Sequence, residues 1–271
     1  MNYQTYPVDV SLEGIVKCFW SLEAPRQQNV ERQRIVPDGC MEMIFHTGDL
    51  FQQFLAGGEI IWQPRSFVFG QITRPLEIAP SGVTGIMAAR FEPDGFAPFL
   101  SLPLGQMENR AVPLVELFGE EGILIEQQVL QAQTHEERKQ QMTTFLINRM
   151  RSSQNLNSFI RGCVDTLLKS QGQITVDTLA AQAGISRRQL ERKFSEAIGL
   201  SPKQLSKMIR LQAAIKRIDQ KQYENLTALA HESGYFDQAH FIKDFKEFSG
   251  ISPRQFYREN LKWSALFAGT D

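Results

Sequence analysis

Arg188 and Arg192 stand four residues apart in the run RRQLERKF, in which Leu190 and Phe194 recur at helical spacing. Residues four apart project from one face of a helix, so the two guanidinium groups share an edge, with Arg187 and Lys193 flanking it. A guanidinium presents paired N–H donors that match one guanine edge, and flanking cations suit phosphate oxygens. That chemistry is recognition. The constellations that support catalysis are missing. His46 stands alone and His135 falls on a distant helical stretch, so no ligand pair at close spacing is present. No Gly-rich phosphate loop, nucleophile elbow or zincin motif occurs. Cys18, Cys40 and Cys163 are odd in number and scattered, which suits free thiols in a reducing compartment better than a disulfide framework. Cys40 follows a turn, where a reactive thiol is conceivable, but it reads better as a small half-buried strand residue. Neither a metal nor a cofactor is expected, and the chain is not expected to be an enzyme.

The basic run lies in a pattern that occurs twice. TLAAQAGISRRQLERKFSEAIGLSP spans 178–202 and ALAHESGYFDQAHFIKDFKEFSGISP spans 228–253. Ala180 and Gly184 return as Ala230 and Gly234, while Leu190, Phe194, Gly199 and Pro202 return as Phe241, Phe245, Gly250 and Pro253. The register slips by one residue just after the glycine, where a turn absorbs an insertion. Two copies are too few for a solenoid, so each reads as a small module of helix, tight turn and helix. Gly184 supplies a positive φ at a helix end, and Ser186 is placed to cap the following helix. Ser201-Pro202 then opens a helix over about 203–218, with Leu205, Ile209, Ala213 and Ile215 as the residues serving both modules. Such a rod of roughly 24 Å suits two readers set about one turn of DNA apart.

These residues resemble the AraC/XylS family of bacterial transcription regulators over roughly 157–258. The second copy, GYFDQAHFIKDFKEFSGISPRQF, is close to the family signature throughout, except that Phe236 stands where the family has serine, leaving the capping role to Asp237. The resemblance implies two helix-turn-helix modules (about 176–197 and 226–248) that bind double-stranded promoter DNA. It assigns base contacts to Arg188, Glu191 and Arg192 in the first module and to Gln238, Ala239, His240 and Lys243 in the second. Arg187 and Lys193 then meet phosphates. The second module, with fewer strong readers and with Asp237 and Asp244 repelling phosphate, is expected to contribute less specificity. The resemblance also implies activation of transcription through RNA polymerase.

Charge divides the chain in the same way. Residues 1–150 hold 11 basic and 18 acidic side chains and residues 151–271 hold 18 and 12, an acidic half beside a basic one, as expected of a nucleic-acid module joined to something else. The expected domains are 1–150 and 151–271, with the polar stretch RSSQNLN as a hinge. The N-terminus lacks a basic start with an apolar run, and no stretch approaches eighteen apolar residues, so a cytoplasmic protein without membrane contact is expected.

The first half reads as strands: IVKCFWSL, RQRIV, MEMIFH, SFVFG and VTGIMAARF, punctuated by Pro37-Asp38-Gly39, Gly57-Gly58 and Pro80-Ser81-Gly82. Short strands at this spacing indicate a small sandwich or barrel. Helical patterns follow in LVELFG, EEGILIEQQVLQA and THEERKQQMTTFLINRM, with Ile123, Gln127 and Leu130 sharing one face. The half resembles the cupin-like β-barrel effector domains that precede many AraC-type domains, and VPDGCMEMIF (36–45), FGQITRPLEI (69–78) and ARFEPDGFAPFL (89–100) resemble a poorly characterised subgroup. The expected fold is therefore α+β: a mainly-β cupin-like barrel with flanking helices, then an all-α double helix-turn-helix domain. Arg34, Asp38, Glu42, Gln71, Arg74 and Arg90 are the candidate polar handles for a small-molecule effector. Arg90 and Arg74 point to an anionic or carbonyl-bearing ligand, and Trp20 and Trp62 are candidate pocket or core residues. The alternatives are an enzyme in the barrel, or a ligand-free module for dimerisation or protein contacts. A homodimer joined through residues 1–150 is expected, with helices near 122–150 at its interface.

Overall fold

In the computed structural model, residues 1–28, 30–100, 102–151, 158–220, 223 and 225–259 are described. The first half is built on ten strands: β1 (Asn2–Tyr6), β2 (Val16–Ala24), β3 (Gln33–Ile35), β4 (Glu42–His46), β5 (Phe51–Phe54), β6 (Ile60–Trp62), β7 (Ser66–Phe69), β8 (Leu76–Pro80), β9 (Thr84–Phe91) and β10 (Ala111–Pro113). They form a six-stranded sheet in the order β1-β2-β9-β4-β7-β10 and a four-stranded sheet in the order β3-β8-β5-β6. Neighbouring strands in both sheets pair antiparallel.

The alternation of side chains along the central strands makes two cores from one sheet. Met43 and Phe45 of β4 with Met87, Ala89 and Phe91 of β9 face one way, where they pack with Leu114, Ile125, Val129 and Met142 of the helices α1 (Leu114–Phe118), α2 (Glu120–Gln131) and α3 (His135–Arg151). Trp20, Leu22, Ile86 and Ala88 face the other way and meet Phe51 and Ile78 of the second sheet. Strand β9 is buried along its whole length, which is why MAAR carries no polar alternation. The register pairs Glu42 with Arg90, Ile44 with Ala88 and His46 with Ile86, setting alternate residues of β4 on the inter-sheet face.

The second half is helical: α4 (Ser158–Lys169), α5 (Val176–Gln182), α6 (Arg187–Ala197), α7 (Pro202–Asp219), α8 (Leu226–Glu232), α9 (Gln238–Ser249) and α10 (Pro253–Glu259). Gly184 and Gly234 end α5 and its copy α8 with φ of +68° and +74°, a conformation that an L side chain resists. The turn after Gly184 reaches its N-cap at Ser186, while the turn after Gly234 takes one residue more to reach Asp237. Ser186 and Ser201 each close a capping box, with Gln189 and Gln204. Asp237 accepts from the His240 N–H at 2.7 Å, so it takes the cap while Phe236 stands 87% exposed.

The structure settles which face of α2 is buried and shifts two expectations. The buried face of α2 is Gly122, Ile125 and Val129, whereas Ile123 and Leu124 point outward. Gly122 sits against the Leu114 carbonyl, where a Cβ would lie only 2.2 Å away, and that close approach fixes the helix rotation. Along α7 the buried stripe is Leu205, Met208, Leu211, Ala214, Ile215 and Ile218, with Ile209 and Ala213 at its margin. Trp62 lies on the edge strand β6 and is 55% exposed, so it serves neither core nor pocket. Residues 152–157 of the expected hinge lie outside the described residues.

The two halves nonetheless touch at several points. Val36 joins the apolar cluster of the helical half, and Gln212 of α7 donates to the Pro37 carbonyl at 2.8 Å. Arg161 of α4 pairs with Asp94 at 2.8 Å. Residues 104–107, a short 3₁₀ turn, pack against α6. Barrel turns that carry apolar and polar partners for specific helices thus dock the halves, in place of the loose tether that the polar linker suggests.

Phe194 is fully buried between α4, α6 and α7. Phe194→Ala is expected to cost about 3–5 kcal/mol, read as a lower midpoint in chemical denaturation with little change in slope.

Candidate nucleic-acid interface and barrel cavity

The sequence-selected residues of α6 lie along its solvent side. Arg188 and Arg192 are exposed and make no ion pair with a described residue. Arg187 bonds Glu191 at 3.0 Å and Asp177 at 3.4 Å, so Glu191 is held one turn along while Arg187 is partly neutralised. Exposed pairs of this kind contribute about 0–1 kcal/mol and can exchange partners cheaply. Lys193 lies at the edge of this face, its Nζ 5.4 Å from the Phe159 ring centre.

On α9, Ala239, His240 and Lys243 are exposed and Gln238 is half-buried. The Gln238 side chain accepts from Thr227 at 2.9 Å, which ties the start of α9 to α8. Asp244 is not part of this surface: it is 2% exposed and its carboxylate meets Lys207 of α7 at 3.0 Å. Lys207 is therefore committed to Asp244 and Glu247. The expected phosphate repulsion reduces to Asp237, whose carboxylate is already used as a cap.

In the barrel the six candidate handles divide into three groups. Asp38, Glu42 and Arg90 line a cavity between the sheets, together with Trp20, Cys40 and His46. Its volume is about 60 Å³ and its walls are mainly Ile, Leu and Phe side chains. Gln71 is buried behind it and donates to the Gly39 carbonyl at 3.0 Å. Arg34 and Arg74 line a separate groove, where Arg34 pairs with Glu77 at 2.8 Å. Arg90 is 3% exposed; its guanidinium bonds Asp38 and reaches Glu42 at 3.1 Å. Burial raises the Glu42 carboxyl, and the neighbouring Trp20 side chain opposes that shift. Burial pushes the Cys40 thiol up to about 12, which leaves it protonated and inert.

His46 and Gln63 are the cavity residues that sequence reasoning did not select as handles. The available signal was the two-residue period Glu42, Ile44, His46 along β4. His46 is 1% exposed, stacked on Phe51 and 3.1 Å from the Gln63 side chain. Burial, with Arg65 nearby, lowers it to about 4. The folded state therefore disfavours the imidazolium. The contribution of His46 to stability is complete above the unfolded pKa near 6.5 and is lost as pH falls toward 4. Relative to His46→Asn, the parent should lose about 1.4 kcal/mol per pH unit across that window. Parallel denaturation of both proteins from pH 7 to 4.5 checks this, and a constant difference would contradict it.

Among the described residues no cluster of His, Cys, Asp and Glu could hold a metal, and no helix is long and apolar enough to cross a membrane. Residues 179–259 match the family described as a helix-turn-helix domain, and residues 4–113 match one described as a domain of unknown function, DUF6597. An uncharacterized HTH-type transcriptional regulator of Haemophilus influenzae is 37% identical over 95 residues, covering 35% of this chain and 31% of the relative. The HTH-type transcriptional regulator MtrA of Neisseria gonorrhoeae is 33% identical over 91 residues, covering 34% and 30%. The matches thus span about a third of these relatives' own length. Among solved structures, ToxT of Vibrio cholerae aligns over 89% of this chain and 98% of its own, at 12% identity and a TM-score of 0.47. The two capped helices after paired glycine turns, on the stretch that these regulators share, identify residues 179–259 as a helix-turn-helix domain.

Proposed function

We propose that the chain is a sequence-specific DNA-binding transcription regulator of the AraC type, with domains at 1–150 and 151–271, and that it acts in the cytoplasm as an activator contacting RNA polymerase. The observation that carries this reading is the pair of exposed helices α6 and α9, each opened by a capped turn and joined by α7. Eighteen residues of helix make α7 about 27 Å long, a rod on the scale of one DNA turn of about 34 Å. Arg188, Glu191 and Arg192 read bases from α6 while Arg187 and Lys193 meet phosphates. Gln238, Ala239, His240 and Lys243 form the second, weaker reader. The barrel serves as the sensor for a small-molecule effector and carries no catalysis, in keeping with relatives that are regulators. Arg192→Ala should relax selectivity at one or two base pairs, each by about 1–3 kcal/mol, in binding measured against a panel of single-base substitutions in a selected site. Equal loss on every sequence would make Arg192 a phosphate contact instead.

The same chain is proposed to form a homodimer through the outer face of α2, where Ile123 and Leu124 are 45% and 55% exposed beside Val115 at 49%. Large apolar side chains gathered on one helical surface mark an interaction site. Leu124→Arg, an exposed position that tolerates charge, should shift the full chain from dimer to monomer in sedimentation at micromolar concentration. An unchanged sedimentation coefficient would place the interface elsewhere.

A further inference from the structure

The turn formed by residues 36–40 is shared by the barrel cavity and the helical core. On one side Val36, Asp38 and Cys40 line the barrel cavity. On the other, Val36 is buried in the helical core, the Pro37 carbonyl accepts from Gln212 at 2.8 Å, and Gly39 lies against Leu205 so closely that a Cβ would stand 2.7 Å from its Cδ1. Gly39 also adopts φ +81°, and its carbonyl is fixed by Gln71. The turn therefore has little room to move without moving α7, and it is held from inside the cavity by the ion pair of Asp38 with Arg90.

The chemistry of the cavity narrows what it can hold. Arg90 faces both Asp38 and Glu42, so in either state of Glu42 the trio carries no net positive charge. An anion entering here would have to displace a carboxylate from its guanidinium, in a volume too dry to compensate for the loss. The remaining walls are apolar. At the other end of β4, His46 has one ring nitrogen beside Gln63 Oε1, and that contact makes Nε2 the N–H donor. Nδ1 is then an acceptor, with no hydrogen-bond partner among the described residues. Leaving a buried acceptor unsatisfied is costly. The space is smaller than the cavity of about 150 Å³ that accommodates benzene.

We propose that this cavity binds a small uncharged molecule that is mostly apolar and carries one hydroxyl or N–H donor for His46, and that the 36–40 turn transmits its occupancy to α7. The inference rests on the regulator reading only for what α7 then does. An effector can act only through different contacts in two states, and the turn is where ligand contacts and helix contacts fall on the same residues. A ligand that shifts Asp38 relative to Arg90 changes the seat of α7, the helix that spaces the two readers.

The test uses the full chain and four probes of similar size: 1-butanol, methyl propyl ether, butyrate and butylammonium. Titration followed by ligand-observed NMR should show 1-butanol binding roughly tenfold more tightly than the ether, the worth of one hydrogen bond to a buried acceptor, and neither ion binding measurably. Butyrate or butylammonium binding as well as the alcohol would overturn the assigned class, as would an ether that binds equally. Hydrogen exchange with 1-butanol present should slow both at residues 36–46 and along α7. In Gln212→Leu the slowing at 36–46 should persist while that along α7 falls at least threefold. Protection confined to the barrel in the parent, or an α7 response unchanged in the variant, would overturn the coupling. None of these readouts involves DNA, so a chain that met all of them but selected no DNA sequence would contradict the regulator reading alone.

Discussion

The structure of the helical half depends on the burial of one face of α7. Leu205, Met208, Leu211, Ile215 and Ile218 are at most 2% exposed and pack in a single cluster with Leu190 and Phe194 of α6 and with Phe241 and Phe245 of α9. Burying each such side chain contributes about 1.5–3 kcal/mol, and close packing allows little sliding between helices. Two modules that would be marginal alone thereby acquire one core and a fixed spacing. Because Val36 enters the same cluster from the barrel, the helix that spaces the readers also carries the load of the inter-half contact.

Buried charge reinforces this arrangement on both sides of the contact. Arg90 in the barrel meets Asp38 and Glu42, and Lys207 in the helical half meets the buried Asp244. Removing one member of such a pair leaves a charge uncompensated, at about 3–5 kcal/mol. These groups restrict which conformations the chain can take more than they add to its stability. Asp38 is the instructive case: it holds the 36–40 turn to the sheet through Arg90, caps the turn by accepting from the Cys40 N–H at 2.8 Å, and lines the cavity.

Much of the helical half could be read from the chain because its signals are local. Gly184 and Gly234, the caps Ser186 and Asp237, and the one-residue slip between the copies are all turn chemistry acting within a few residues. The strands IVKCFWSL, MEMIFH and VTGIMAARF were legible from β-branched and aromatic content, whereas NYQTY and FQQF, which form β1 and β5, carry too few such residues to stand out. What escaped the sequence is non-local. The rotation of α2 follows from the close seating of Gly122 on α1, and the burial of Asp244 from the position of Lys207 on another helix. The cavity draws its lining from strands far apart in the chain, so Arg74 and Arg90 were paired as handles although they line separate sites. Arg90 read as a handle for an anion because its two carboxylate partners, Asp38 and Glu42, are brought to it only by the turn and by the pairing of β4 with β9.

Sequence-selective binding to duplex DNA is the central claim, and selection from a random duplex library with the full chain measures it most directly. The account requires an enriched motif with two contacted blocks about one helical turn, roughly 10 base pairs, apart, with the block read by α6 the more strictly specified. Enrichment of no sequence over the starting library, or binding that depends on salt but not on sequence, would contradict it.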